Sequence, residues 1–407
     1  MNLMKKSETN LLIVYENKIS TVELLNKVFM EYERRSYFSV VMKKASLIRI
    51  TDIIKADIVF FIRPNYCMAY QIGKIGKNMG KPIITYCDDD LLNLKKSIYD
   101  LIWRKNSLTR LLNITDVFYS PSKRIIEKYR LFIKEGKAFI FDTPIEKNDV
   151  NFKKNISDHS DEPTIRILYA ASPAHKAFFE EYIGSILGKI VQKYGRHISF
   201  TFIGVEPQID YKILEKGEFI FYSSMPLAEY RSLVKRGKYD IGLAPLEVSE
   251  FTKCKYFNKY LEYSMAGIMG IYTKTEPYTN IIIDGINGLL VENSADKWMK
   301  ALSCAIDDAA LRARIISNAQ KHIIENFDPD ILYKKFATEI QETILDKSNG
   351  GIKGIKKYRI HLFFAKLIYA IERIFEMVYK VLQTYKQEGS KGIYRKIEYH
   401  TNKGVED

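Results

Sequence analysis

The chain has 407 residues, too many for one ordinary domain and suited to two of about 150–200 each. Its 46% apolar content excludes wholesale disorder, and four scattered cysteines (Cys67, Cys87, Cys254, Cys304), with no CxxC or HExxH spacing, exclude a disulfide framework and a zinc motif. Lys and Arg number 63 against 49 Asp and Glu, a formal +14 that suits a phosphate-bearing partner: nucleic acid, an anionic membrane or a diphosphate ligand.

In chain order, the first apolar run, Leu11–Tyr15, ends at Glu16. It is too short for a signal-peptide core or a membrane span and is expected to be a buried strand. No window of about 18 residues is free of charge, so a transmembrane helix is not expected. The expected setting is cytoplasmic, with a peripheral place on the inner face of the plasma membrane as an option. Short β-branched or aromatic runs follow at 37–42, 57–62, 82–86, 116–119 and 137–141, with helical patterns at 20–33, 67–79, 98–113 and 122–131 between them. This alternation predicts parallel pairing in a doubly wound α/β sheet, with ligands at the carboxyl ends of the strands.

The alternation stops at a polar run, 148–163, which reads as a linker. It resumes with strands at 165–170, 198–203, 218–222, 239–244 and 268–273, and helices near 174–193, 226–236, 253–266, 295–306 and 309–325. The expected division is a first α/β domain over 1–148, a linker over 149–163 and a second α/β domain over 164–328. A helix over 329–350 would return toward the first domain, and an amphipathic extension would occupy 351–407. That extension holds 12 Lys and Arg against 6 Asp and Glu, so it carries +6 of the +14. Within its 358–386 pattern Arg359, Lys366, Arg373 and Lys380 recur every seven residues. An aromatic, basic, amphipathic helix suits an anionic bilayer; packing on the first domain or on a second subunit is the alternative.

Two segments carry candidate chemistry. Ser172 and Pro173 form a helix start directly after a strand, whose free N–H groups would receive an anion, with His175 in the same turn. A helix over 253–266 would stack Lys255, Lys259 and Glu262 at i, i+4 and i+7, two ammonium groups for a diphosphate and a carboxylate for a ribose diol. The plainer alternative for that face is a salt bridge between Lys259 and Glu262. In the first domain the run Asp88-Asp89-Asp90 follows a strand. It could orient an acceptor hydroxyl, serve as base or bind a cation, while Asp90 could merely cap a helix.

The succession Phe251-x3-Lys255-x3-Lys259-x2-Glu262-Tyr263-x3-Gly267, then Thr273-x4-Tyr278 and Asp284-Gly-x-Asn-Gly288, resembles the donor domain of GT-B glycosyltransferases. The likeness is to bacterial family 4-type enzymes of cell-surface polysaccharide synthesis, and it covers about 165–327. Tyr169–His175 resembles the turn opening that domain and Phe202–Gly204 its next strand end; Arg63 and the Asp88–Asp90 run extend the likeness weakly into the first domain. The resemblance implies two Rossmann-like domains and transfer of a sugar from a nucleotide-diphosphate donor to a saccharide or lipid-linked acceptor. It implies donor contacts from Ser172, Gly204, Glu262, Thr273 and Tyr278, and catalysis by Lys255, Lys259 and His175. Arg63, Asp88, Asp89 and Asp90 would stand on the acceptor side. No cofactor and no bound metal are implied, because the lysines would stabilise the leaving diphosphate. Two departures stand out. Cys254 occupies the place of the family's first glutamate, and Tyr15-Glu16-Asn17 replaces a Gly-Gly turn. They keep open the alternative of a non-catalytic subunit that binds nucleotide sugar or glycan. No recognisable nucleic-acid module accompanies the charge.

Overall fold

Strands without polar alternation need cover on both faces, which is the condition for a parallel sheet between helix layers. In the first half these runs form β1 (Asn10–Tyr15), β2 (Ser39–Lys44), β3 (Ile58–Ile62), β4 (Ile83–Tyr86), β5 (Val117–Ser120) and β6 (Lys137–Ile140). In the second they form β7 (Ile165–Ala170), β8 (Ile198–Ile203), β9 (Glu218–Tyr222), β10 (Ile241–Ala244), β11 (Met269–Thr273) and β12 (Leu289–Val291). The computed structural model describes residues 9–94, 102–152, 164–172, 175–345 and 355–403. Most of the expected linker, 153–163, and Pro173 of the expected helix start lie outside them.

Contacts divide the chain into two units, one of 1–120, 126–139 and 339–407, the other of 121–125 and 140–338. The first sheet has the order β2-β1-β3-β4-β5-β6, and β1 pairs parallel with both β2 and β3. The second has the order β12-β11-β10-β7-β8-β9 and is parallel throughout. Each sheet therefore reverses its winding at one place: between β1 and β3 in the first, between β7 and β10 in the second. Ligand sites form at such switch points, because the loops leaving the two strands turn away to opposite sides.

Most expected elements form within a few residues of their predicted ends. Two short helices, Ile50–Lys55 and Tyr211–Leu214, and strand β12 add to them. The helix expected from 253 starts at Asn258. Before it, Thr252 donates through Oγ1 to the carbonyl oxygen of Glu247 at 2.5 Å and holds a 3-10 turn over Thr252–Cys254, after which Lys255 is extended. Side-chain bonds to the local backbone compete here with the helical ladder. The helix then ends at Gly267, whose φ of +69° closes it in the left-handed region.

The C-terminal extension is one continuous helix, Ile355–Lys403. Its Leu362, Ala365 and Tyr369 are buried in the first unit's core beside Ile53, Tyr66 and Ile72. That face is thus covered by the first unit. Among the described residues no helix is long and apolar enough to cross a membrane.

Candidate functional site

The end of β7 continues as Ala171 and Ser172, and Ala171 N–H donates to the carbonyl oxygen of Ile203 at 3.1 Å. Gly204 follows β8 with φ +76°, and a Cβ there would lie 2.7 Å from the Ala171 carbonyl oxygen. Glycine lets the two strand ends approach and leaves the ground above them clear. Over them, at the β7–β10 switch point, lies a cavity of about 390 Å³ lined by Ser172, His175, Gly204, Lys255, Lys259 and Tyr278. Six of the residues singled out in the sequence thus meet on one hollow.

The lysines reach it differently from expectation. Lys259 sits on the helix Asn258–Ala266, while Lys255 comes from the extended residue after the 3-10 turn, so helical spacing does not align them. Lys255 Nζ lies 5.1 Å from the Phe251 ring centroid. Lys259 Nζ donates to Glu262 Oε2 at 2.8 Å and to Tyr230 Oη at 2.9 Å, and Tyr230 Oη donates to the same Glu262 oxygen at 3.0 Å. The plainer expectation, a Lys259–Glu262 ion pair, is therefore realised; Lys259 lines the cavity, whereas Glu262 is not among the lining residues. Burial works against the charge on Lys259, but Glu262 outweighs it and holds the lysine above its ordinary pKa. Its side chain remains a quarter exposed, so a ligand can still meet it.

His175 lies just before the helix Lys176–Phe179, its N–H donating to the Ser172 carbonyl oxygen at 3.0 Å. Burial first, then the charges of Lys255 and Lys259, lower its pKa, with Glu247 opposing. A neutral imidazole donates from one nitrogen and accepts at the other. Thr273 does not line the cavity. It is buried under the loop after β10, accepting from Leu246 N–H at 2.8 Å and donating to Asn293 Oδ1 at 2.9 Å, so it fixes the loop that borders the hollow. Cys254 is likewise buried, its Sγ donating to the Glu250 carbonyl oxygen at 3.2 Å. Sequence reasoning missed Tyr230, Met225 and Asn258, all of which line the cavity.

A second, smaller cavity of about 260 Å³ lies at the β1–β3 switch point of the first unit, lined by Glu16, Asn17, Arg63, Asn65 and Leu91 among others. Arg63, with φ +48°, donates to Asp88 Oδ1 at 2.7 Å and Asp89 Oδ2 at 3.4 Å; Thr21 Oγ1 donates to Asp88 Oδ2 at 2.5 Å. The Asp88 and Asp89 charges overcome burial and raise the pKa of Arg63. Asp90 turns away: fully buried, it is bonded to Lys128 and accepts from Tyr129 Oη at 3.3 Å and Asn93 Nδ2 at 2.8 Å. Where the Gly-Gly turn was missed, Glu16 accepts from Arg104 at 2.9 Å. Arg104 Nε in turn lies 2.6 Å from Glu372 Oε1 on the C-terminal helix. Glu16, Arg104 and Glu372 thus form a buried ion cluster at this turn. Among the described residues no three His, Cys, Asp or Glu side chains group as metal ligands.

Two six-stranded parallel sheets flanked by helices, with a helical C-terminal region, make this a GT-B fold of two Rossmann-like domains, the architecture of the GT-B glycosyltransferases. Neither known sequence families nor curated proteins give a match. Solved structures do. The chain is similar to HepE of Anabaena, solved with UDP and glucose (12% identity, TM-score 0.56, 82% of this chain and 100% of that one). It is similar to sucrose-phosphate synthase of Thermosynechococcus elongatus (10% identity, TM-score 0.61, 83% and 100%). It is also similar to the lipopolysaccharide outer core galactosyltransferase WaaB (14% identity, TM-score 0.55, 82% and 99%).

Proposed function

We propose that the chain is a glycosyltransferase that moves a hexosyl or deoxyhexosyl unit from a nucleotide-diphosphate sugar to a hydroxyl of a saccharide or lipid-linked acceptor. The setting is cell-surface glycan synthesis on the cytoplasmic side. The observation that carries the reading is the convergence of Ser172, His175, Gly204, Lys255 and Lys259 on one hollow at the β7–β10 switch point. Solved structures of the same fold that hold UDP or UDP-glucose support it.

In this reading the diphosphate lies over the bare strand ends at Gly204, with the Lys255 and Lys259 ammonium groups beside it. When the bond from the sugar's anomeric carbon to the diphosphate oxygen breaks, the electron pair stays on that oxygen, and the two fixed cations stabilise the growing charge. The lysines supply the positive charge, so no bound metal is invoked and no cofactor is needed. Neutral His175 hydrogen-bonds a sugar hydroxyl or phosphate oxygen. Glu262 exchanges Lys259 and Tyr230 for the ribose diol as the donor enters, and Tyr278 packs in the wall. The acceptor occupies the hollow at Glu16, Arg63 and Asn65, with Asp88 and Asp89 at its border, and Asp90 holds that loop in place.

The test is acceptor-dependent release of nucleotide from a panel of nucleotide sugars, compared between wild type and Lys255→Ala. Turnover lost in the variant with donor still bound supports the assignment. Nucleotide-sugar binding with no turnover on any acceptor would favour the non-catalytic subunit, and equal turnover in both proteins would remove the lysine from the mechanism.

A further inference from the structure

The helix Ile355–Lys403 has one face in the first unit and another in solvent. Leu362, Ala365, Tyr369, Glu372 and Glu376 point inward and are buried. On the opposite side Phe363, Leu367, Ile371, Ile374, Val378 and Val381 are between 45% and 65% exposed. So wide an exposed apolar band marks an interaction surface.

Charge indicates the occupant. Between 355 and 386 the only acids are Glu372 and Glu376, both buried, so every charge reaching solvent on this stretch is a lysine or arginine. Where the helix meets the short helix Ile50–Lys55, a cavity of about 350 Å³ is lined by Arg49, Thr51, Arg359, Leu362, Phe363 and Lys366, with no carboxylate. Asp52, the acid facing Lys366, accepts from Lys43 at 2.6 Å. Burial and the neighbouring Arg49 lower the pKa of Lys366, the response of a cation whose surroundings lack a full counter-charge.

We propose that this face docks on an anionic lipid bilayer, its apolar side chains entering the interfacial region while Arg49, Arg359 and Lys366 receive the phosphodiester of an anionic headgroup. A second copy fits less well. A two-helix seam covers two apolar positions per heptad. Here Ile368, Phe375 and Leu382 lie beyond that seam and are themselves about half exposed. Self-pairing would also bring two wholly positive rims together, whereas a bilayer covers the full width with opposite charge. The surface shares no residue with the donor cavity, so the inference goes beyond the transfer reading and does not depend on it.

The test is co-sedimentation of the full-length protein with vesicles of phosphatidylcholine alone or with about 30 mol% phosphatidylglycerol, in low and high salt. The expected result is binding to the anionic vesicles alone, weakened by salt. Arg359→Gln/Lys366→Gln should reduce partitioning roughly tenfold or more, and Phe363→Ser/Ile371→Ser should reduce it comparably. Thermal unfolding monitors the fold, and nucleotide-sugar binding in these variants should equal that of wild type. Equal binding to both vesicles, binding to neither, or undiminished binding by the Arg359/Lys366 variant would overturn the proposal. So would a dimer that Leu367→Asp dissociates in a protein indifferent to lipid, since that result gives the face to a second copy. Absence of nucleotide-sugar binding and transfer in the wild-type protein, with vesicle binding intact, would count against the transfer reading alone.

Discussion

Lys255 and Lys259 are asked to do the same electrostatic work from different backbone settings, and single substitutions separate them. Lys255→Ala should lower kcat roughly 100-fold, the scale of removing one fixed donor from a developing oxyanion. Lys259→Ala should do the same and also free Glu262 and Tyr230, so its donor KM should shift as well; steady-state kinetics over donor concentration reads both. His175 gives a pH signature. Its pKa lies below the ordinary histidine value, so the imidazole is neutral near pH 7 and gains a proton as pH falls through that lowered pKa. Activity should show an acid limb below about pH 6.5 that His175→Asn removes. In stability the unfolded chain binds that proton more tightly, so the residue's contribution is full above about pH 6.5 and is lost on acidification. The residue types of this cavity were legible because turn chemistry and motif order place Ser172, His175, Lys259 and Tyr278 near strand ends. Tyr230 was not, since it belongs to a separate helix, Leu227–Arg236, and meets Glu262 only in the folded chain.

At the scale of elements, the approach of β7 to β8 rests on Gly204. With φ +76° and a backbone oxygen 2.7 Å from where a Cβ would stand, Gly204→Ala should cost about 1–3 kcal/mol in urea unfolding and weaken donor binding. The start of the helix at Asn258 was misplaced because Thr252–Cys254 favours side-chain bonds to the local backbone, a competition that apolar periodicity does not register. The C-terminal helix is tied to the end of β1 by Arg104, wholly buried between Glu16 and Glu372. Removing a single member leaves buried charge uncompensated, so Arg104→Ala should destabilise by about 3–5 kcal/mol. Burial raises the pKa of Glu16; Arg104 opposes this and Glu372 and Glu376 add to it. Its contribution to stability is therefore present below the ordinary carboxylate pKa and lost as pH rises through the raised value. Stability measured from about pH 4.5 to 7 should fall less in Glu16→Gln than in wild type.

For the whole molecule, strand–helix alternation was enough to specify two doubly wound sheets, because fully buried runs such as Ile58–Ile62 leave no other arrangement that covers both faces. For the C-terminal helix the sequence left a bilayer, the first domain and a second subunit open, because the heptad of Arg359, Lys366, Arg373 and Lys380 does not say what covers the opposite face; the structure covers it with the first unit. In the structure Arg373 and Lys380 both bond Glu376 beside the docked face, while Lys366 lines a basic cavity. The +14 excess is thus spread over the molecule, part at the second unit's switch point and part on a helix covering the first. The most direct measurement is calorimetric titration of the full-length chain with a panel of nucleoside diphosphates and their sugars, beside Lys255→Ala/Lys259→Ala. The expected result is saturable one-to-one binding of at least one of them, weakened roughly tenfold or more in the double variant. No binding across the panel, or equal affinity in both proteins, would contradict the donor site.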